Sequence, residues 1–212
     1  KQVETSLGQE VVLIRPGEFM MGSSRREQGR RSNEVLRSVG ISEAFYLGVR
    51  EVSNADFREF RPDYDSGSFG NASLNEDDQP VVRVTWGEVA EYLNWLSIRD
   101  GFQPVYEQID GGWSVVRPLR NGYRLPTEAE WEKATRGWLI GQRFPWGANI
   151  NHDYANYFAY GSAFFCDTSP YTINTYHPNY DDGGFPYTSP VGSFAANNYA
   201  LYDMEGNVYE MC

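Results

Sequence analysis

The stretch that most limits the folds open to this 212-residue chain is residues 138–199. It carries neither the period of a helix nor that of a strand, and it is dense in Asn, Asp, Gly, Pro and aromatic residues. A loop tract of that length is uncommon in a compact domain and needs something other than a backbone ladder to hold it. Stacked rings and bound cations are the two devices open to it. The sequence has material for both, with 6 Trp, 15 Tyr, 12 Phe and 29 acidic residues.

Regular elements are expected ahead of this tract. Residues 1–24 read as strands, with a hairpin signal at Pro16-Gly17. A second strand pair is expected over residues 36–53. Ser53 then caps a short helix that presents Phe57 and Phe60 on adjacent turns. Residues 80–84 form a short β-type run. Thr85 and Glu88 make a capping box for a helix that sets Val89, Leu93 and Leu96 on one face, with Ala90 and Tyr92 flanking. Residues 102–122 read as a hairpin turning at Asp110-Gly111-Gly112. Thr127 and Glu130 cap a second main helix, which Gly137 stops. Glu128, Glu130 and Glu132 invite an acid–base reading, but the helix macrodipole favours acids in a first turn without any chemistry. Arg25, Arg26, Arg30 and Arg31 are interleaved with Glu27, Gln28 and Gly29. They read as a solvated loop, with a phosphate or acidic-partner site as the alternative.

Charge and composition exclude several functions. The formal net charge of −11 opposes nonspecific nucleic-acid binding, which needs a basic surface to displace counterions. Cys166 and Cys212 define no disulfide framework or zinc cluster, and His152 and His177 are too few for a three-histidine metal site. No apolar run approaches the ~18 residues that span a bilayer. The compartment is open, with an extracytoplasmic or cell-surface setting as the expectation. No internal repeat or boundary divides the chain, so a single domain over 1–212 is expected. Its last residues, 196–212, are rich in turn and oxygen-donor signals and then stop, as though the domain were incomplete at its C-terminus.

Several segments, in order, carry a resemblance. These are FMMG at residues 19–22, EVSN at 51–54, PVVRVTW at 80–86 and GYRLPTEAEWE at 122–132. FPWG at 144–147, ANY at 155–157, SPVGSF at 189–194 and GNVYE at 206–210 follow. The chain resembles the formylglycine-generating enzyme, or sulfatase-modifying factor, superfamily over nearly its whole length. The resemblance implies an α+β, C-type-lectin-like fold with small twisted antiparallel sheets, two main helices and long calcium-pinned loops. That superfamily holds copper-dependent oxidases, which convert a sulfatase cysteine to formylglycine, and iron-dependent sulfoxide synthases. It also holds noncatalytic domains on bacterial kinases and lipoproteins, and variable ligand-binding proteins.

By the same resemblance, one calcium site is implied at the Asp203 side chain, the Gly206 and Val208 carbonyls and the Glu210 side chain. A second is implied at Asn156 with the Tyr157 carbonyl, completed by Asp182 and Gly184. The copper-binding thiols of the oxidases lie beyond the GNVYE-like segment, so copper is expected only if sequence after Cys212 supplies the cysteine pair. Cys166 and Cys212 read as independent thiols, and the two histidines as ordinary loop residues. Arg83 stands where catalytic relatives often carry His. The reading that follows is a noncatalytic, calcium-stabilised, lectin-like binding module for a protein or peptide ligand, without nucleic acid and without a transmembrane segment. The alternative is the front part of a formylglycine-generating oxidase.

Overall fold

The computed structural model describes residues 2–160, 163–170 and 175–212. Strands β1 (Gln2–Glu4), β2 (Glu10–Ile14), β3 (Gly17–Met21), β4 (Arg37–Ile41) and β5 (Phe45–Gly48) come first, followed by helix α1 (Asn54–Arg58). Then come β6 (Ser68–Phe69), β7 (Ala72–Ser73), α2 (Trp86–Arg99), β8 (Tyr106–Ile109), β9 (Gly112–Val115) and α3 (Glu128–Thr135). Every pairing between these strands is antiparallel. A three-stranded sheet runs β1-β2-β5, and three two-stranded ribbons pair β3 with β4, β6 with β7 and β8 with β9.

The expected hairpin at Pro16-Gly17 is not formed. β2 pairs with β5 and β3 with β4, so the chain changes sheets at this corner and changes back between β4 and β5. Proline explains the difference. A two-residue hairpin turn needs a positive φ at its first central residue, and the pyrrolidine ring holds φ near −65°. The corner is pinned instead by Lys133 of α3, whose Nζ donates to the Gly17 carbonyl at 2.8 Å. The 36–53 strand pair is corrected in the same way, because its two strands join different sheets. Residues 80–84 make only a bridge from Pro80 to Ser53, not a strand.

The helices form where their caps place them. Ser53, Thr85 and Thr127 each accept from the backbone N–H three residues on. Asp56, Glu88 and Glu130 each reach back to the cap N–H. Glu130 also holds Arg124 through paired contacts of 2.7 Å, so its acidity serves structure, as expected. Between β8 and β9 the loop is Asp110-Gly111, with φ of 51° and 80°, the signature of a type I′ turn.

Three apolar clusters fill the interior. Val12, Ile14 and Val49 meet Ala134 of α3 and Tyr199, Leu201 and Met204 of the final segment. Phe57 of α1 packs on Tyr92 and Leu96 of α2, with Phe60, Tyr64 and Trp95 around them. Ala90, on another face of α2, meets Val105 and Tyr106, while Val89 is only half-buried. Among the described residues after α3 there are isolated bridges and turns but no further helix or extended strand.

Ring packing holds much of this tract. Phe144, Trp146 and Tyr154 stack nearly parallel, with centroids 5.8 and 4.9 Å apart. Further in, His152, Tyr157, His177, Tyr180 and Phe194 share edge and tilted contacts. Stability tests the α1–α2 cluster directly. Phe57 is 1% exposed, and Phe57→Ala is expected to cost about 3–5 kcal/mol in urea unfolding, whereas a loss below ~1 kcal/mol would mean the cluster is not core.

Candidate metal centre

The run from residue 200 to residue 210 is forced into sharp turns. Ala200, Asp203, Gly206 and Asn207 all have positive φ, at 65°, 52°, 96° and 58°. Only Gly206 has no alternative, since a Cβ there would land on the Asn156 carbonyl oxygen. The run is registered against the end of β5, where the Tyr202 N–H donates to the Val49 carbonyl at 2.9 Å. That register sets Glu51 beside Asp203.

Asn207 is the hub. Its Nδ2 donates to Glu51 Oε1 at 3.0 Å and to the Ser189 carbonyl at 3.3 Å. Its Oδ1 accepts from the Ser189 N–H at 2.9 Å, and its own N–H donates to the Asn156 carbonyl at 2.7 Å. One side chain thus ties together the β5–α1 junction, the aromatic tract and the final segment. Asp203, buried, accepts from the N–H groups of Gly192 and Phe194 and so shapes the SPVGSF segment. Glu210, on the solvent side, accepts from the Trp131 indole N–H of α3. Glu51 and Glu210 line an open groove of about 2080 Å³ between the three-stranded sheet and α2.

The electrostatics of this cluster are unbalanced. Burial pushes the Glu51 carboxyl up to about 8, and the charges of Asp203 and Glu210 add to that rise. Burial also raises Asp203, with the N–H groups of Gly192 and Phe194 opposing. Glu205 is pushed up to about 8 by desolvation, with Arg136 opposing. Glu51 Oε2 is buried with no hydrogen-bond partner. Carboxylates gathered in this way want a cation, and an orphaned carboxylate oxygen facing its acidic neighbours is a donor that a hard cation would use.

The residues of the first expected site, Asp203, Gly206, Val208 and Glu210, lie in one run of sharp turns. Among the described residues no group of three or more His, Cys, Asp or Glu side chains is placed to hold a metal ion. Sequence reading missed Glu51, because 152 positions separate it from Asp203. The only available signal was a lone acid beginning the EVSN segment.

Residues of the second expected site are placed apart in their bonding. Asn156 Nδ2 donates to the Tyr187 carbonyl at 2.9 Å, and the Tyr157 carbonyl meets His152 Nε2 at 3.2 Å. Asp182 instead accepts from the N–H groups of Asn71 at 2.8 Å and Phe185 at 2.9 Å, with the Asn71 bond the chief cause of its lowered pKa. The Gly184 N–H donates to Asp181 at 3.0 Å. No hydrogen bond between described residues links Asp182 or Gly184 to Asn156 or Tyr157.

The thiols and histidines have structural surroundings. Cys166 is buried and accepts from Arg143 at 2.7 Å, Cys212 is exposed, and both are free. His177 Nε2 bonds the His152 carbonyl at 2.8 Å, and burial lowers the pKa of both imidazoles. The histidines are thus packing elements of the loop tract, a role the sequence reading did not give them. Arg83, at φ 62°, donates to the Ser68 carbonyl at 2.7 Å.

Two outcomes follow from the acid cluster. Asn207→Ala is expected to cost roughly 2 kcal/mol or more in urea unfolding, because it strands the Glu51 carboxyl and the Ser189 N–H and carbonyl, and a loss below about 0.5 kcal/mol would contradict the hub role. The second concerns pH. The folded-state pKa of Glu51 lies above its ordinary 4.5, so its contribution to stability is complete below about 4.5 and is lost as pH rises toward about 8. Metal-free protein should therefore melt at lower temperature at pH 8 than at pH 5, and the opposite order would refute this electrostatic picture.

Comparison with known proteins agrees with this architecture. The sulfatase-modifying factor enzyme 1-like domain matches residues 1–212. Chaperone protein LppX of Paenibacillus barcinonensis is 30% identical, covering 98% of this chain and 72% of LppX. The formylglycine-generating enzyme of Bos taurus is 30% identical over 94% of this chain, which spans 56% of that enzyme. The inactive C-alpha-formylglycine-generating enzyme 2 of Bos taurus is also 30% identical, covering 98% of this chain and 72% of its own length. Among solved structures, Treponema denticola variable protein 1 superposes with a TM-score of 0.71 at 23% identity, over 100% of this chain and 75% of that one. PvdO from Pseudomonas aeruginosa does so with a TM-score of 0.66 at 23% identity, over 98% and 72%. With the family domain matched from end to end and the fold shared, this chain belongs to the sulfatase-modifying factor family typified by the formylglycine-generating enzymes.

Proposed function

We propose that this chain is a noncatalytic, calcium-stabilised binding domain of its family, taking a protein or peptide ligand. The observation that carries the calcium part is the buried, unpartnered Glu51 Oε2 beside Asp203 and Glu210. Asp203, the Gly206 and Val208 carbonyls and Glu210 would hold the ion, with the Glu51 carboxyl beside Asp203. Calcium there would neutralise the cluster and brace the loop tract through Asn207. Asn156, Tyr157, Asp182 and Gly184 remain the second candidate set, which would need the Asp181–Phe185 loop to give up its present bonds.

Relatives named as a chaperone and as an inactive formylglycine-generating enzyme support a binding role. The second reading is the front part of a formylglycine-generating oxidase, favoured by 30% identity to the Bos taurus enzyme. It would require a cysteine pair in sequence beyond Cys212. Mass spectrometry of a CxPxR peptide incubated with the copper-loaded full-length protein separates the two. Unchanged cysteine is expected, and conversion to formylglycine would establish the oxidase.

Calcium is tested by thermal unfolding. An ion present at a hundredfold its Kd, and bound only to the folded state, stabilises by about 2.7 kcal/mol, a shift on the order of 5–10 °C for a chain of this size. Chelator should lower the midpoint by that order and calcium should restore it. An unchanged midpoint in protein confirmed metal-free would remove the calcium reading.

A further inference from the structure

Residues 23–35 form a closed surface loop whose ends meet, Ser23 bridging Val35 and its N–H donating to the Glu34 carbonyl at 3.1 Å. Arg30 is its internal pillar. Its Nε donates to the Ser23 carbonyl at 3.1 Å and the Glu34 carbonyl at 3.0 Å, bracing both ends of the loop from inside. The foot is fixed to α3, since the Gly22 N–H donates to Glu132 at 2.7 Å and Arg136 donates to the Gly22 carbonyl at 2.8 Å.

The far side is fixed to the aromatic tract. Gln28 donates to the Ala163 carbonyl and accepts from the Phe165 N–H, both at 3.0 Å. Gly29, at φ 84°, fits against the Phe164 ring, where a Cβ would approach to 3.0 Å. A compact loop held this way is preorganised, as functional Ω-loops are.

What the loop leaves outward is one sign of charge. Its two acids are engaged, Glu27 with Arg143 beyond the loop at 3.6 Å and Glu34 with the Ser23 hydroxyl at 3.3 Å. Arg25, Arg26, Arg31 and the adjoining Arg37 are exposed, and none has an ion-pair partner among the described residues. Apolar side chains are exposed at both sides of the loop, Val35 at 55% and Leu36 at 47% at its end and Phe165 at 73% beside Gln28. A basic, apolar-studded platform on a chain of net charge −11 is complementary to a small acidic ligand.

We propose that this platform docks a short acidic segment of a partner protein, one in which Asp or Glu alternates with apolar residues. The carboxylates would pair with Arg25, Arg26, Arg31 and Arg37, and the apolar residues would rest on Val35, Leu36 and Phe165. A long polyanion fits less well, because beyond this patch it would meet the strongly acidic remainder of the chain. The platform goes beyond the binding-module reading by assigning a partner chemistry, and it stands whether or not the acidic turn holds calcium.

The test is fluorescence anisotropy of a labelled short peptide alternating Glu and Leu, run with excess calcium and again with chelator. Binding that weakens with salt is expected, at least about tenfold tighter to the native chain than to the triple variant Arg25→Glu/Arg26→Glu/Arg31→Glu. The variant should keep its unfolding midpoint, since these side chains make no buried contact, and the matching triple Lys variant should retain binding. Equal affinity of native chain and reversed variant would overturn the proposal. So would binding to phosphatidylserine vesicles or a single-stranded oligonucleotide without peptide binding. Self-association abolished by the reversal, again without peptide binding, would assign the platform to a second copy and overturn it too.

Discussion

Carboxyl groups meet where three parts of the chain cross, and the rest of the fold is arranged around that crowding. Glu51 leaves the end of β5, Asp203 and Glu210 come from the final turn, and Asn207 binds both regions to the start of the aromatic tract. Like charges brought together out of water repel, and protons or a cation must settle the difference. Without metal, protons do so: burial chiefly, with the charges of Asp203 and Glu210 adding, pushes the Glu51 carboxyl up to about 8. A divalent ion would do so without giving up the charges.

This crowding explains how so much irregular backbone stays in place. The SPVGSF segment is held by Asp203 and Asn207, the ANY segment by the Asn207 N–H, and α3 by Glu210 through Trp131. Ring packing then carries the order outward, through the Phe144-Trp146-Tyr154 stack on one side and the two histidines with Tyr180 and Phe194 on the other. Pins at a few points, with rings between them, do the work that ladders do in the first half of the chain.

Local chemistry was legible in the sequence, and long-range partnership was not. Caps at Ser53, Thr85 and Thr127 could be read because a helix N-terminus is decided within four residues. The Asp110-Gly111 turn was readable for the same reason. Strand pairing across Pro16-Gly17 was misjudged because two adjacent strands with a turn signal look like a hairpin. Which sheet each joins depends on partners well beyond the turn, on β5 for β2 and on β4 for β3. At the candidate site the final turn announced itself by its spaced oxygens, whereas Glu51 carries no local mark and gains its meaning only from Asp203 and Asn207. His152 and His177 likewise looked like loop residues until burial gave them a packing role.

Calcium titration calorimetry near pH 7, repeated in buffers of different ionisation enthalpy, tests the central claim most directly. Metal that replaces protons on these carboxyls must release them. Saturable calcium binding accompanied by net proton release is expected, with the release lost in Glu51→Gln. Absence of binding, or binding with no proton exchanged in any buffer, would contradict a cation site at the Glu51–Asp203–Glu210 cluster.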